Sequence, residues 1–306
     1  MNIKIIETPI PGLQPLGVAR PCGELRLCGR SWNKLLRHRW VDAMGKSCVL
    51  SLNTCISFWP SDQLLEQLST LHDGFRVLNE AGEVLASGTK MPAMNALGIS
   101  VEGHEHTGSC VDVPVDHDSI VVKYPWDLLD IQDRVLEHAP HGRNNGIIHE
   151  GSVIDGNVAL GDGSIILPGV YIFGNVVIGE NCEIGPNCCI RGNTAIGDRC
   201  RIGQGAEVTN SIIMDDVKIS HVSYVGDSIV ASGVDIGAGT MTASYRHDGG
   251  TVKSMVAGEL VDTGRKYFGA VFAEKSRTSI NTAILPGRKI AAGRFTMPGD
   301  IIRRDL

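Results

Sequence analysis

Residues able to do chemistry gather in two short stretches of this 306-residue chain. The first is Ile219-Ser220-His221-Val222-Ser223-Tyr224-Val225-Gly226-Asp227, which places a histidine, a phenol and a carboxylate close together. Imidazole titrates near neutrality and can accept a proton from a reacting group. The second is Asp235-Ile236-Gly237-Ala238-Gly239-Thr240-Met241-Thr242, whose small residues let another molecule approach the backbone. Taken by itself, a lone histidine in such a setting is more often structural than chemical. A further cluster, His104-Glu105-His106 with Cys110 and His117 nearby, has the residue types of a metal site. Its spacing matches no strong zinc pattern, so solvated loop residues are the better reading and no metal is expected. His138 and His141 fall in a connecting segment and read the same way.

The elements that must position these residues show in a second pattern. An aliphatic residue returns every sixth position at Ile148, Ile154, Leu160, Ile166, Ile172, Ile178, Ile184, Ile190, Ile196, Ile202 and Val208. The frame then slips by one to Ile213, Ile219 and Val225, and again to Val230 and Ile236. Four residues after each aliphatic comes a small or β-branched residue: Ser152, Val158, Ser164, Val170, Val176, Cys182, Cys188, Thr194, Cys200 and Ala206. A period of six drifts round a 3.6-residue spiral and gives a helix no constant face. Three short strands per coil, one hexad each, put every aliphatic inside a triangular prism with glycines at the corners. The expected fold is therefore mainly β: a C-terminal parallel β-helix of hexapeptide repeats, left-handed as that architecture winds, preceded by a small α/β domain.

Composition narrows the function class. A formal charge of −6 argues against a nucleic-acid partner, and 5% aromatic residues suits a core of stacked Ile and Val. Nine cysteines is an odd number with no signal-peptide pattern before them. Cys182, Cys188 and Cys200 sit at small core positions and read as reduced packing residues. No apolar run reaches membrane-span length, and the chain is expected to be cytoplasmic.

Residues 1–123 lack the six-residue period and read as a separate α/β domain. Asn2–Ile6 and Val49–Phe58 have strand character, and Ser61 can cap a helix with Leu64, Leu65, Leu68 and Leu71 on one face. Phe75–Leu78 and Glu83–Ala86 flank a hairpin turn. A connection at 124–146 opens with Tyr124-Pro125-Trp126-Asp127, a helix start running to about His138 with Leu128, Leu129, Ile131, Val135 and Leu136 on its apolar side. The β-helix follows over 147–306, interrupted by a polar loop excursion at 243–268. Its rhythm resumes at Phe272, Thr278, Ile284 and Ile290.

The stretches around His221 and Gly237 resemble the acetyltransferase domain of bifunctional sugar-1-phosphate nucleotidylyltransferase/N-acetyltransferases. The best-known member is bacterial glucosamine-1-phosphate acetyltransferase/uridylyltransferase. Thr263-Gly264-Arg265-Lys266-Tyr267-Phe268-Gly269-Ala270, Ile280-Asn281-Thr282-Ala283-Ile284-Leu285-Pro286-Gly287 and the Tyr124-Pro-Trp-Asp helix are similar to the archaeal branch. The likeness covers about 124–293. It implies a CoA-dependent N-acetyltransferase acting on an amino-sugar phosphate or a nucleotide-linked amino sugar. On that likeness His221 is the general base, Tyr224 lies along the sugar, and Arg191 and Lys253 hold phosphate. Asp235 and Ser244 occupy sugar-facing positions. Gly237, Ala238, Gly239, Ala291 and Ala292 face acetyl-CoA, the acyl donor. The likeness also implies a homotrimer. Independently, the excursion's Tyr245, Tyr267 and Phe268 beside Arg246, Lys253, Arg265 and Lys266 are residue types suited either to reaching onto an adjacent coil or to a solvated loop.

Three positions depart from the family pattern: Thr209 replaces a lysine, and Asp235 and Ser244 replace asparagines. The N-terminal region lacks the glycine-rich loop that a nucleotidyltransferase sets after its first strand. Arg20-Pro-Cys-Gly-Glu-Leu-Arg-Leu-Cys-Gly29 resembles a segment of shortened nucleotidyltransferase-like domains. Two other readings stand beside acyl transfer: nucleotidyl transfer by the N-terminal domain, and a non-catalytic β-helix scaffold or regulator.

Overall fold

Each hexad becomes one short strand and one corner, and three hexads close a coil. In the computed structural model, which describes residues 2–6, 13–16, 26–27, 30–44, 49–55, 57–71, 74–90, 110–138 and 144–306, successive coils stack as parallel strands. One face is a seven-stranded sheet running from Ile147–Ile148 through Lys218–Ile219 and Asp235–Ile236 to Arg277–Thr278. The other two faces share a twelve-stranded sheet, because Val153–Leu160, Tyr171–Ile178 and Cys189–Ile196 run unbroken round one corner. Gly-Asn pairs make that corner: Gly156-Asn157, Gly174-Asn175 and Gly192-Asn193 lie in register. Gly174 adopts φ +98°, and a Cβ there would come within 2.7 Å of the Gly192 carbonyl oxygen. Only glycine lets adjacent coils approach that closely.

The aliphatic series from Leu160 to Ile236 lies inside the prism and is fully buried, as are Phe272, Ile284 and Ile290. The first two members depart from expectation. Ile148 is 37% exposed and Ile154 is only partly buried, since they lie in the first coil, at the end of the stack. In the second layer, hydrogen bonding explains the thiols. Cys182 Sγ donates to Gly197 O at 3.0 Å, Cys188 Sγ to Gly203 O at 2.9 Å and Cys200 Sγ to Met214 O at 3.0 Å. Ser164 Oγ does the same to Gly179 O. All three cysteines are free, and burial pushes the Cys188 thiol up to about 11, which keeps it protonated and inert.

The slip in the hexad frame has a definite place. Up to Val208 partners lie 18 residues apart, as Ile172 with Ile190; beyond it they lie 17 apart, as Ile202 with Ile219. Arg191 pairs with Thr209 while Ala195 pairs with Ile212, so one residue is lost at the Asn193 corner. The next coil repeats the loss, with Thr209 opposite Gly226 and Ile212 opposite Ile229. One coil later the chain leaves at this same corner after Met241–Thr242 and returns at Ala270–Phe272. The excursion contains an antiparallel hairpin, Lys253–Val256 with Glu259–Asp262. Tyr245 and Tyr267 bridge its neck with rings 5.3 Å apart.

Compact units are Met1–Ile10 with Trp32–Val122, and Pro11–Ser31 with Lys123–Leu306. In the first, a sheet of order Asn2–Ile6, Val49–Cys55, Val84–Lys90, Gly74–Leu78 and Cys110–Pro114 accompanies two helices. Ser61 Oγ accepts the Leu64 N–H at 2.9 Å, the expected N-cap, and the expected hairpin forms. Helix α1 (Trp32–Met44) is an element the sequence reading does not mark. Its signal was present, since Trp32, Leu35, Leu36, Trp40 and Met44 recur at helical spacing and are buried. Helix α2 is Asp62–Thr70. In the second unit α3 (Asp127–Glu137) buries Leu128, Leu129, Ile131 and Leu136, with Val135 half-buried.

The stack predicts unequal costs along one repeat. Ile190→Ala should lower unfolding free energy by about 2–5 kcal/mol and Ile148→Ala by less than about 1 kcal/mol. Denaturant midpoints of the two variants check this.

Candidate active site

His221 sits at the tip of a corner where Gly203-Gln204-Gly205, Ser220-His221-Val222, Gly237-Ala238-Gly239 and Ser279-Ile280-Asn281 stack. The backbone there is clamped from both sides. Val222 N donates to Gln204 O at 3.0 Å, Gly239 N to His221 O at 3.0 Å and Asn281 N to Ala238 O at 2.8 Å. The His221 side chain is exposed and makes no hydrogen bond or ion pair among the described residues. The Ala238 N–H, one coil above, is likewise unengaged among them. Both glycines beside Ala238 are required by the chain itself. A Cβ on Gly237 would come 2.6 Å from Thr278 O, and one on Gly239 would collide with Asn281 Oδ1. The room assigned from sequence to an incoming molecule is thus filled by Asn281 at Gly239, while Ala238 stays half-exposed.

A polar cluster occupies the shortened Asn193 corner. Arg191 places Nε at 2.9 Å and Nη2 at 2.8 Å from Glu207 Oε1. Glu207 is in register with Tyr224 on the next coil. The Tyr224 ring folds back over Gly226, with Cζ 2.6 Å from where a Cβ of that glycine would stand. The Ser244 hydroxyl is within hydrogen-bonding reach of both Tyr224 and Asp227. Asp227 is 5% exposed, and its Oδ1 accepts from Asn210 Nδ2 at 3.4 Å. Burial raises the Asp227 carboxyl above its ordinary value, against Ser244, Asn210, Arg265 and Arg191, which lower it. Burial likewise raises the Tyr224 phenol, which stays protonated.

Helix α3 braces this corner. Gln132 is buried and its Nε2 donates to Asn193 O at 2.8 Å and Ser211 O at 3.2 Å. Asn193 Nδ2 donates to Asp133 Oδ1 at 2.9 Å. Arg265, from the excursion, pairs with Asp130 and lies 4.0 Å from Asp133. Burial raises both aspartates and Arg265 opposes it.

Of the residues singled out from sequence, Arg191, Tyr224 and Ser244 come together, joined through Glu207 and Asp227. Asp227 was visible in the motif, whereas Glu207 needed the coil register to be placed beside Arg191. His221 and Asp227 lie at opposite ends of the strand Tyr224–Gly226, about 15–20 Å apart at 3.3 Å per residue. Asp235 is on the seven-stranded face, in register with Lys218 and Arg277. Lys253 is exposed on the hairpin opposite Asp262. Ala291 and Ala292 belong to a third corner, where Gly293 N donates to Glu274 O at 3.0 Å, across a face from Gly237–Gly239. Thr209 is buried, with Oγ1 lacking a hydrogen-bond partner. Cys110 and His117 are exposed, His117 lying 3.5 Å from Asp118. His104, Glu105, His106, His141 and most of Arg20–Gly29 lie outside the described residues. Among those described, no three His, Cys, Asp or Glu groups converge as metal ligands, and no helix is long and apolar enough to cross a membrane.

Comparisons with known proteins agree with the resemblance read from the motifs. Residues 172–291 match a family model described as the GMPPB C-terminal domain. The bifunctional sugar-1-phosphate nucleotidylyltransferase/acetyltransferase of Sulfurisphaera tokodaii is 35% identical over 70% of this chain and 56% of its own length. A bifunctional protein GlmU from Methanococcus maripaludis is 45% identical over 60% of this chain and 44% of its own. The chain therefore spans about half the length of the curated relatives it matches. Among solved structures, Francisella novicida UDP-N-acetylglucosamine acyltransferase shares 18% identity over 53% of this chain and 62% of its own, with a TM-score of 0.33.

The buried carboxylate yields a pH-dependent expectation. A raised carboxyl pKa means the fold binds that proton more tightly than the unfolded chain. Stability present below the unfolded value of about 4 is then lost as pH rises through the folded value. Asp227→Asn removes the charge and keeps an acceptor for Asn210. It should raise the melting midpoint by about 2–4 °C at pH 7, with the gain vanishing near pH 4. Calorimetric scans at both pH values check the sign.

Proposed function

We propose that this chain is a CoA-dependent N-acetyltransferase acting on an amino-sugar phosphate or a nucleotide-linked amino sugar, with His221 as general base. The observation that carries the reading is the His221 corner: an exposed imidazole without a partner among the described residues, on a clamped backbone, directly below an Ala238 N–H that none of them engages. An ammonium is no nucleophile; the imidazole takes its proton, and the free amine attacks the thioester carbonyl. The Ala238 N–H supplies a donor for the oxyanion that forms, and the thiolate of CoA departs. The relative named as a nucleotidylyltransferase/acetyltransferase, 35% identical over 70% of this chain, supports the same chemistry.

At the far end of the strand, Arg191, Tyr224, Ser244 and Asp227 bind the acceptor. Arg191 offers a guanidinium to phosphate while Glu207 holds its orientation. The distance from this cluster to His221 exceeds one sugar ring. It favours an acceptor long enough to cross the face, as a nucleotide-linked sugar is, or a site completed by a second chain.

The second chain has a surface to meet. Val153, Tyr171, Cys189, Glu207, Tyr224, Met241, Ala283 and Ile301 form one outward column in register on a flat face. Val153, Tyr171, Met241 and Ile301 are all exposed, and Glu207 is the column's one charged member. Such a stripe suits burial in a closed cyclic assembly, and a trimer is what the resemblance implies.

His221→Ala should reduce acetyl transfer by about 10²–10⁴-fold while acetyl-CoA binding stays near normal. Thiol release across a set of amino-sugar phosphates and nucleotide-linked amino sugars, with calorimetry for the donor, measures both. Retained turnover in the variant removes His221 from the mechanism. Light scattering should give three times the 32.8 kDa chain mass. A fully active single chain would sink the shared site.

A further inference from the structure

Two aromatic side chains stand on the outside of the prism, where the buried core makes no use of them. Tyr171 and Phe173 flank the inward Ile172 on one strand, so both leave the same face. Their rings stack with centroids 5.1 Å apart and an interplanar angle of 29°. Tyr171 is 39% exposed and Phe173 is half-buried. Among the described residues no other ring and no cation stacks on either of them.

The coil register shows what surrounds the pair. On the coil above, Cys189 lies over Tyr171 and Arg191 over Phe173. One coil further, Glu207 lies over Cys189 and Thr209 over Arg191. Cys189 is thus a small side chain among larger ones, with the two rings below it, Arg191 beside it and Glu207 above. The face is hollow there. Arg191 turns away from the rings: its Nε lies 2.9 Å and its Nη2 2.8 Å from Glu207 Oε1, toward the coil above.

The hollow therefore joins an aromatic surface to a guanidinium across one coil step of about 4.8 Å. A nucleoside phosphate has the same order of parts: a flat base, a ribose and then an anion. Stacking on aromatic side chains serves any base, since each has a π-face. Guanidinium N–H groups take phosphate oxygens in charge-assisted pairs. An amino-sugar phosphate has no group to set against the rings.

Length along the face agrees. Glu207 is in register with Tyr224, and His221 stands three residues before Tyr224. Glu207, which holds the guanidinium, is thus at most about 11 Å from His221 along the backbone, one coil and three residues away. A diphosphate and one sugar ring fill that span. Tyr171 lies two coils from Glu207 on the side away from Tyr224, beyond the reach of the sugar.

We propose that the hollow over Cys189 binds the nucleoside diphosphate of the acceptor, with Tyr171 and Phe173 stacking the base and Arg191 taking the phosphate. This rests on the acyl-transfer reading above and narrows its acceptor to a nucleotide-linked amino sugar. Tyr171, Cys189 and Glu207 belong to the outward column assigned above to the second chain, so the nucleotide lies between chains.

The test uses the full chain and calorimetry without acetyl-CoA. UDP, dTDP, GDP and CDP are the probes, and inorganic diphosphate is the reference. At least one nucleotide should bind about 5–150-fold more tightly than diphosphate, the worth of one stacked base. Phe173→Leu keeps an apolar side chain without a π-face. It should weaken that nucleotide about 5–10-fold and leave diphosphate within about twofold. Phe173→Tyr restores the ring and should bind the nucleotide within about twofold of the natural chain. Arg191→Gln should weaken nucleotide and diphosphate alike. Three results overturn the proposal: no nucleotide bound more tightly than diphosphate, nucleotide binding indifferent to Phe173 and Arg191, or a Phe173→Leu loss that light scattering traces to a lost oligomer. Faster thiol release with amino-sugar phosphates than with nucleotide-linked amino sugars overturns it too. Phe173-dependent nucleotide binding in a chain that releases no thiol with any acceptor supports the site and sinks the acyl-transfer reading, which keeps the two failures apart.

Discussion

Coil-upon-coil hydrogen bonding is the constraint on which the β-helix depends. Each strand's N–H groups meet the carbonyls of the coil beside it, as Tyr171 with Cys188 and Glu183 with Cys200. The inward residue of each hexad stacks on the one before it. A strand cannot lose or gain a residue without turning its side chains inside out. Length changes are therefore expelled to the corners, and the corners become the places where the prism can carry anything specific.

Both halves of the candidate site follow from that rule. At the His221 corner every coil keeps its count, and difference is confined to which residue occupies the tip and the left-handed slot. At the Asn193 corner one residue is missing from two coils, and the third opens into the excursion. The shortened corner is where Gln132 of helix α3 enters, giving its amide to the carbonyls of Asn193 and Ser211. The same helix holds Arg265 through Asp130, so the guanidinium stands near Asp227 without belonging to it. Asp227 and Tyr224 are consequently enclosed by the excursion as well as by the coil.

Electrostatics at this corner is one of close compensation. Arg191 is matched by Glu207 and Arg265 by Asp130 and Asp133, while Asp227 retains a raised carboxyl pKa because burial outweighs the cations around it. Thr209 stands at this corner with a buried hydroxyl and no partner. Arg191 is the cation of this corner that is open enough to meet an anionic acceptor, being about one-third exposed at the side chain.

The prism was legible in the sequence because its rule is local and repetitive. A period of six in Ile and Val, with a second small residue four places on, has one economical solution, and the buried series from Leu160 to Ile236 follows it. The frame slips also marked the coils that carry the site, and the His221 and Gly237 motifs marked the corner where acyl transfer is proposed. What the sequence could not decide was adjacency between coils and between faces. Glu207 meets Arg191 because of an 18-residue register, and Asp235 falls on another face and Ala291–Ala292 at another corner because each corner turns the chain through the prism. Gly239 reads as open space in sequence, yet it is filled by Asn281, which lies 42 positions on and directly above it. Nor could it show that Val222 bears a left-handed backbone, since that strain is imposed by the coils on either side. Local pattern sets which residues point inward. Only the stacking of coils decides which outward residues meet.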